Sequence, residues 1–144
     1  WRQPRPADAK RARPAALGAR VSTAELPGLV YICSVLAVKG GQGDRARFNH
    51  IAGLAVERDG SVLVSDRFNH SVRRVSAHGQ VTTVAGNGQA GFADGVGDAA
   101  RFRSPQGIQV DSQGLIYVAD IFNHCIRTVQ PADGTVSTFC GKGK

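Results

Sequence analysis

The chain has 144 residues, a formal net charge of +7, 42% hydrophobic residues and 20% charged residues. That balance excludes an extended disordered chain, whose signature is low hydrophobicity with high net charge. No apolar run approaches the roughly 18 residues that span a bilayer, and three cysteines are too few for a disulfide scaffold.

The N-terminal stretch holds most of the charge. Arg2, Arg5, Lys10, Arg11, Arg13 and Arg20 stand against Asp8 alone in residues 1–20. The rest of the chain is close to neutral. Residues 1–27, rich in Arg, Pro and Ala, read as a disordered basic tail. A solvated linker is the plain reading. An organellar transit segment and an arm for an anionic partner are the alternatives. The chain starts at Trp1 and contains no Met, so it reads as a fragment, a processed form or an incomplete gene model. The compartment stays open, with the cytoplasm favoured.

Residues 28–46 follow. Leu29–Val38 reads as the last strand or strands of a degraded unit, and GGQGDRARF from Gly40 looks like a shortened copy of GVGDAARF from Gly95. The next two stretches are related by an internal repeat. RFNHIAGLAVERDGSVLVSDRFNHSVRRV, from Arg47, aligns with RFRSPQGIQVDSQGLIYVADIFNHCIRTV, from Arg101, and HGQVTTVAGNG then aligns with DGTVSTFCGKG. The first unit covers 47–100 with a Gly-rich loop, and the second covers 101–144.

Each unit holds four β-type runs separated by turn residues. In the first these are Gly53–Val56, Ser61–Ser65, Ser71–Val75 and Val81–Ala85. In the second they are Gly107–Val110, Leu115–Ala119, Cys125–Val129 and Thr135–Cys140. Asp59-Gly60, Gln113-Gly114, His78-Gly79 and Asp133-Gly134 supply hairpin turns. Four antiparallel strands per unit form a meander, and an array of meanders is a β-propeller. The prediction is an all-β partial propeller of about two and a half four-stranded blades.

The pattern G-[IL]-x-V, [IL]-x-V-[AS]-D, N-H-x-[IV]-R and V-x-T resembles the NHL repeat. Its Asn-His pair occurs twice, at Asn69-His70 and Asn123-His124. The resemblance implies blades that need further blades, or self-assembly, to close.

The sets Asp66, Asn69, His70 and Asp120, Asn123, His124 offer carboxylate, amide and imidazole within five residues. A cation could use such a set. Recurrence at one position in successive blades argues for a stabilising role instead, with Asp accepting backbone N–H groups and His making one bond. GNGQAG, from Gly86, fits the dinucleotide fingerprint in letters, but no helical period follows it. Asp94 and Asp98 resemble a calcium loop only loosely. No metal site and no cofactor is therefore expected.

Phe48, Phe92, Phe102 and Phe139 read as packing residues. Phe68 and Phe122 sit at hairpin tips, where inter-blade packing competes with surface recognition. Arg73, Arg74 and Arg127, with Arg101 and Arg103, are candidates for a basic patch. An unbroken ladder pairing Val129 with Val136 would set Cys125 opposite Cys140, within reach of a disulfide, although a reducing compartment favours thiols. No nucleophile–base constellation appears.

The resemblance implies a non-catalytic interaction scaffold, with a protein partner expected first. The near-neutral repeat region lacks the phosphate-neutralising charge that dominates nucleic-acid affinity. An RNA-binding surface and the recognition part of a ubiquitin ligase are the first alternatives. A fragment of a metal-dependent propeller lyase or lactonase is the second.

Overall fold

The computed structural model of the chain describes residues 40–142. The tail over 1–27 and residues 28–39 of the blade remnant lie outside the described residues. Ten strands follow: β1 Gly41–Gln42, β2 Ile51–Val56, β3 Val62–Asp66, β4 Ser71–Val75, β5 Gln80–Ala85, β6 Gly95–Val96, β7 Pro105–Val110, β8 Ile116–Asp120, β9 Cys125–Val129 and β10 Thr135–Gly141. They form two antiparallel sheets, in the orders β1-β5-β4-β3-β2 and β6-β10-β9-β8-β7.

Each sheet is thus the expected four-stranded meander plus a fifth strand. The fifth strand, Gly41–Gln42 or Gly95–Val96, pairs with the last strand of the blade it precedes. Two residues are too few to show a period, so no strand signal marks them. Gly41–Arg45 and Gly95–Ala99 repeat one backbone course. Gly43 and Gly97 have φ 53° and 55°, and their N–H groups donate to the Gly79 and Gly134 carbonyls at 2.9 and 3.0 Å.

The blades pack β2 and β3 against β7. Alternation along β3 buries Val62 and Val64 on one face and Leu63, with 0% exposure, on the other. Leu63, Val72 and Ala85 of the first blade join Phe102, Ile108, Ile116, Val118, Val129 and Val136 of the second in a single core. Gly53 permits the close approach. A Cβ there would stand 2.3 Å from the Gln106 carbonyl oxygen.

A β-bulge recurs in both blades. In the first, the register slips between Val72↔Ala85 and Arg73↔Thr83. In the second, it slips between Cys140↔Ile126 and Thr138↔Arg127. The expected Cys125–Cys140 facing pair is therefore corrected: Cys125 faces Gly141, and Cys140 faces Ile126. Both cysteines are free, Cys125 buried and Cys140 exposed. The slip brings Gly86 and Gly141, at φ 91°, against the backbone of Ser71 and Cys125. Any Cβ there would strike the His70 or His124 carbonyl, at 2.4 and 2.5 Å. Phe139 is the extra residue. Its ring is 62% exposed and meets Tyr117 edge-on at 5.4 Å, and Phe92 is also exposed. Phe139 and Phe92 therefore pack at the surface, Phe92 against Arg127, whereas Phe102 is fully buried.

Candidate functional site

The two motif sets lie where β3 and β8 end, each followed by a 3-10 turn, Arg67–Asn69 or Ile121–Asn123, and capped by a histidine in the left-handed region. Asp66 and Asp120 are fully buried, as are Arg73 and Arg127. Asp66 Oδ1 accepts from the Asn49 N–H at 2.7 Å. Its Oδ2 accepts from Asn69 Nδ2 at 2.8 Å and from Arg73 Nη1 at 3.1 Å. Asp120 repeats this with the Arg103 N–H at 2.7 Å, Asn123 Nδ2 at 2.7 Å and Arg127 Nη1 at 3.1 Å. The carboxylate thus ties the approach to the first strand of each sheet, the turn and the third strand to one point.

Arg73 and Arg127 face inward, which corrects their expected place in a basic surface patch. The period-2 alternation of β4 and β9 turns them to the buried face, where a buried carboxylate is available as partner. Arg127 also sits 4.8 Å from the Phe92 ring centroid and 5.4 Å from that of Phe102. Its Nη2 donates to the Ala93 carbonyl at 2.8 Å and to Asp94. Asp94 also accepts from the Thr138 N–H and hydroxyl. Partial burial raises the Asp94 pKa, but the bonds from Arg127 and Thr138 outweigh it and hold the carboxyl below its usual range. Burial pushes the Asp120 carboxyl up, against its bonds to Asn123, the Arg103 N–H and Arg127.

The histidines split by position. His70 Nδ1 accepts the Ser104 N–H at 3.1 Å, a bond from the first blade to the second. His124 is exposed. Burial lowers the His70 pKa, the Arg103 charge adds to this, and Asp120 and Asp66 oppose it. Among the described residues, no three His, Cys, Asp or Glu side chains are grouped as metal ligands would be.

Phe68 and Phe122 are 47% and 49% exposed. Each occupies the same turn position, and its N–H is anchored: Phe68 to the Asn49 carbonyl at 3.0 Å, Phe122 to the Arg103 carbonyl at 3.2 Å. His50 lies 4.8 Å from the Phe68 ring, and Arg67 lies over it at 5.2 Å. Arg74 points elsewhere. It grips Glu57 through two bonds, at 2.6 and 2.8 Å, beside the opposite hairpin turn. There a groove of about 470 Å³ runs between Val56–Asp59 and Val110–Gly114. Its Asp59 and Asp111 are engaged in capping the backbone of their own turns.

Two successive meanders, packed face to face through their first strands, define a stretch of β-propeller. The NHL repeat family matches residues 102–128. The chain carries an NHL repeat there, within two sheets of β-propeller type. Protein SUPPRESSOR OF QUENCHING 1, chloroplastic, from Arabidopsis thaliana is 32% identical over 90 residues, covering 62% of this chain and 8% of that protein. NHL repeat-containing protein 2 from Homo sapiens is 34% identical over 82 residues, covering 57% of this chain and 11% of its own length. This chain therefore spans only about a tenth of these curated relatives. A Bacteroides thetaiotaomicron structural genomics protein of unknown function superposes with a TM-score of 0.61 at 29% identity, over 69% of this chain and 24% of that one. An auxiliary nutrient binding protein from the same organism gives 0.59 at 26%, over 72% and 26%. The NHL repeats form a propeller scaffold.

Proposed function

We propose that the chain is a non-catalytic interaction scaffold that binds a protein partner through the end bearing the 3-10 turns Arg67–Asn69 and Ile121–Asn123. The observation that carries this reading is the pair Phe68 and Phe122. Two large apolar rings stand half-exposed at equivalent, backbone-anchored turns. A rigid aromatic side chain offers contact area at low entropic cost, and rigid scaffolds with exposed loop side chains suit recognition. The residues best able to ligate or catalyse, Asp66, Asn69, Asp120 and Asn123, are committed to holding their blades together. A protein partner is favoured over RNA because the repeat region is close to neutral, and nucleic-acid affinity rests mainly on phosphate neutralisation.

The test is affinity capture from an extract of the source organism, using the full chain and the double variant Phe68→Ala/Phe122→Ala. The expected result is a protein retained by the parent and reduced about tenfold with the variant, with an unchanged melting temperature and no effect of RNase. Capture indifferent to both substitutions, or abolished by RNase, overturns the reading.

A further inference from the structure

The His70–Ser104 bond joins two blades whose own frames do not depend on it. Both of its residues sit in the left-handed region, at φ 49° and 57°, a conformation that costs a non-glycine side chain energy. Their repeat counterparts His124 and His50 share it, at φ 52° and 60°, so the turn itself sets this backbone and the bond is added to it. The bond requires a neutral ring with its proton on Nε2, because Nδ1 is the acceptor. An imidazolium carries N–H on both nitrogens, and Nδ1–H would then point at the Ser104 N–H, donor against donor. The charged groups facing the ring are Asp66 on its own turn, and Asp120 and Arg103 from the second blade. Asp66 and Asp120 are buried and already bonded to Arg73 and Arg127, so neither is free to turn and take up the new proton's bond.

We propose that His70 is a protonation-sensitive clasp that releases Ser104 and loosens the junction between the two blades on acidification, while each blade stays folded. His124, in the same backbone conformation at φ 52°, is exposed and serves as the internal control.

Amide hydrogen exchange of the full chain tests this at about pH 7.5 and about pH 5.5, with rates corrected for the intrinsic pH dependence. Protection of the Ser104 amide is expected to fall at least about threefold at the lower pH, with the amides of β4 and β9 unaffected. In His70→Asn the Oδ1 acceptor lies as many bonds from Cβ as Nδ1 does, tolerates the left-handed backbone, and does not titrate. That variant is expected to keep the protection at both values, and His124→Asn to behave as the parent. Two results overturn the proposal: Ser104 protection in the parent that does not change with pH, or the same loss in His70→Asn.

Discussion

Asp94 forms a second ion pair on Arg127, whereas the aligned position in the first blade is Gly40, which has no side chain to offer Arg73. Arg73 Nη2 has no partner among the described residues, whereas Arg127 Nη2 donates to Asp94; the Nε of both arginines is unpaired among those residues. The two carboxylates on Arg127 differ in burial: Asp94 is half exposed and Asp120 fully buried. Exposed pairs contribute about 0–1 kcal/mol, whereas breaking a buried pair costs about 3–5 kcal/mol. Asp94→Asn is therefore expected to cost under about 1 kcal/mol and Asp120→Asn several times more. Urea unfolding measures both.

Gly53 and Gly107 occupy the same place in the two repeats but differ in what they meet. At Gly53 a Cβ would lie 2.3 Å from the Gln106 carbonyl oxygen, and at Gly107 it would meet only the Ala119 Cβ, at 3.5 Å. Gly53→Ala is predicted to cost about 1–3 kcal/mol by forcing the blades apart. Gly107→Ala is predicted to stay within about 0.5 kcal/mol of the parent. Thermal unfolding of the pair checks whether inter-blade contact is what requires glycine.

The slipped register separates the cysteines in reactivity. Cys140 is exposed, while Cys125 is buried and its thiol pushed up by burial. Alkylation of the native chain is expected to label Cys140 at least about tenfold faster than Cys125. Peptide mapping after mild oxidation is expected to show no Cys125–Cys140 bridge.

Burial lowers the folded-state pKa of His70. The unfolded chain therefore binds more protons between the two values, and stability rises with pH across that window. The His70 contribution is fully present above the unfolded value of about 6.5 and is lost as pH falls from there through the lower folded value. Unfolding free energy is expected to decline on going from about pH 7.5 to about pH 5.5, and His70→Asn to remove part of that slope.

The internal repeat makes the blades legible in the sequence. The continuous apolar run Val62–Val64, suited to a strand covered on both faces, and the Asp-Gly and Gln-Gly turns mark strands and hairpins by local chemistry alone. Other features depend on residues distant in sequence. Arg73 reads as a surface cation until its carboxylate, Asp66, is placed beside it across the β3–β4 hairpin. The His70–Ser104 bond spans two units. The bulge at Phe139 leaves no mark in composition, and it sets Gly141 against the backbone of His124 and Cys125, which are distant in sequence. The repeated Asp-Asn-His string carried the site in outline. Its missing member was the arginine two positions beyond Ser71 or Cys125, and the N-H-x-[IV]-R spacing already contained that signal.

The central claim is that Asp66 and Asp120 hold blades together rather than a ligand. It is tested most directly by the thermal unfolding of the full chain and of Asp120→Asn, each in EDTA and with calcium or zinc. The account predicts a large drop in melting temperature for the variant and no more than about 1 °C of change from either metal in either protein. A ligand bound to the native state raises the melting temperature by mass action. A metal-dependent rise of about 4 °C or more in the parent, absent from Asp120→Asn, would contradict the account.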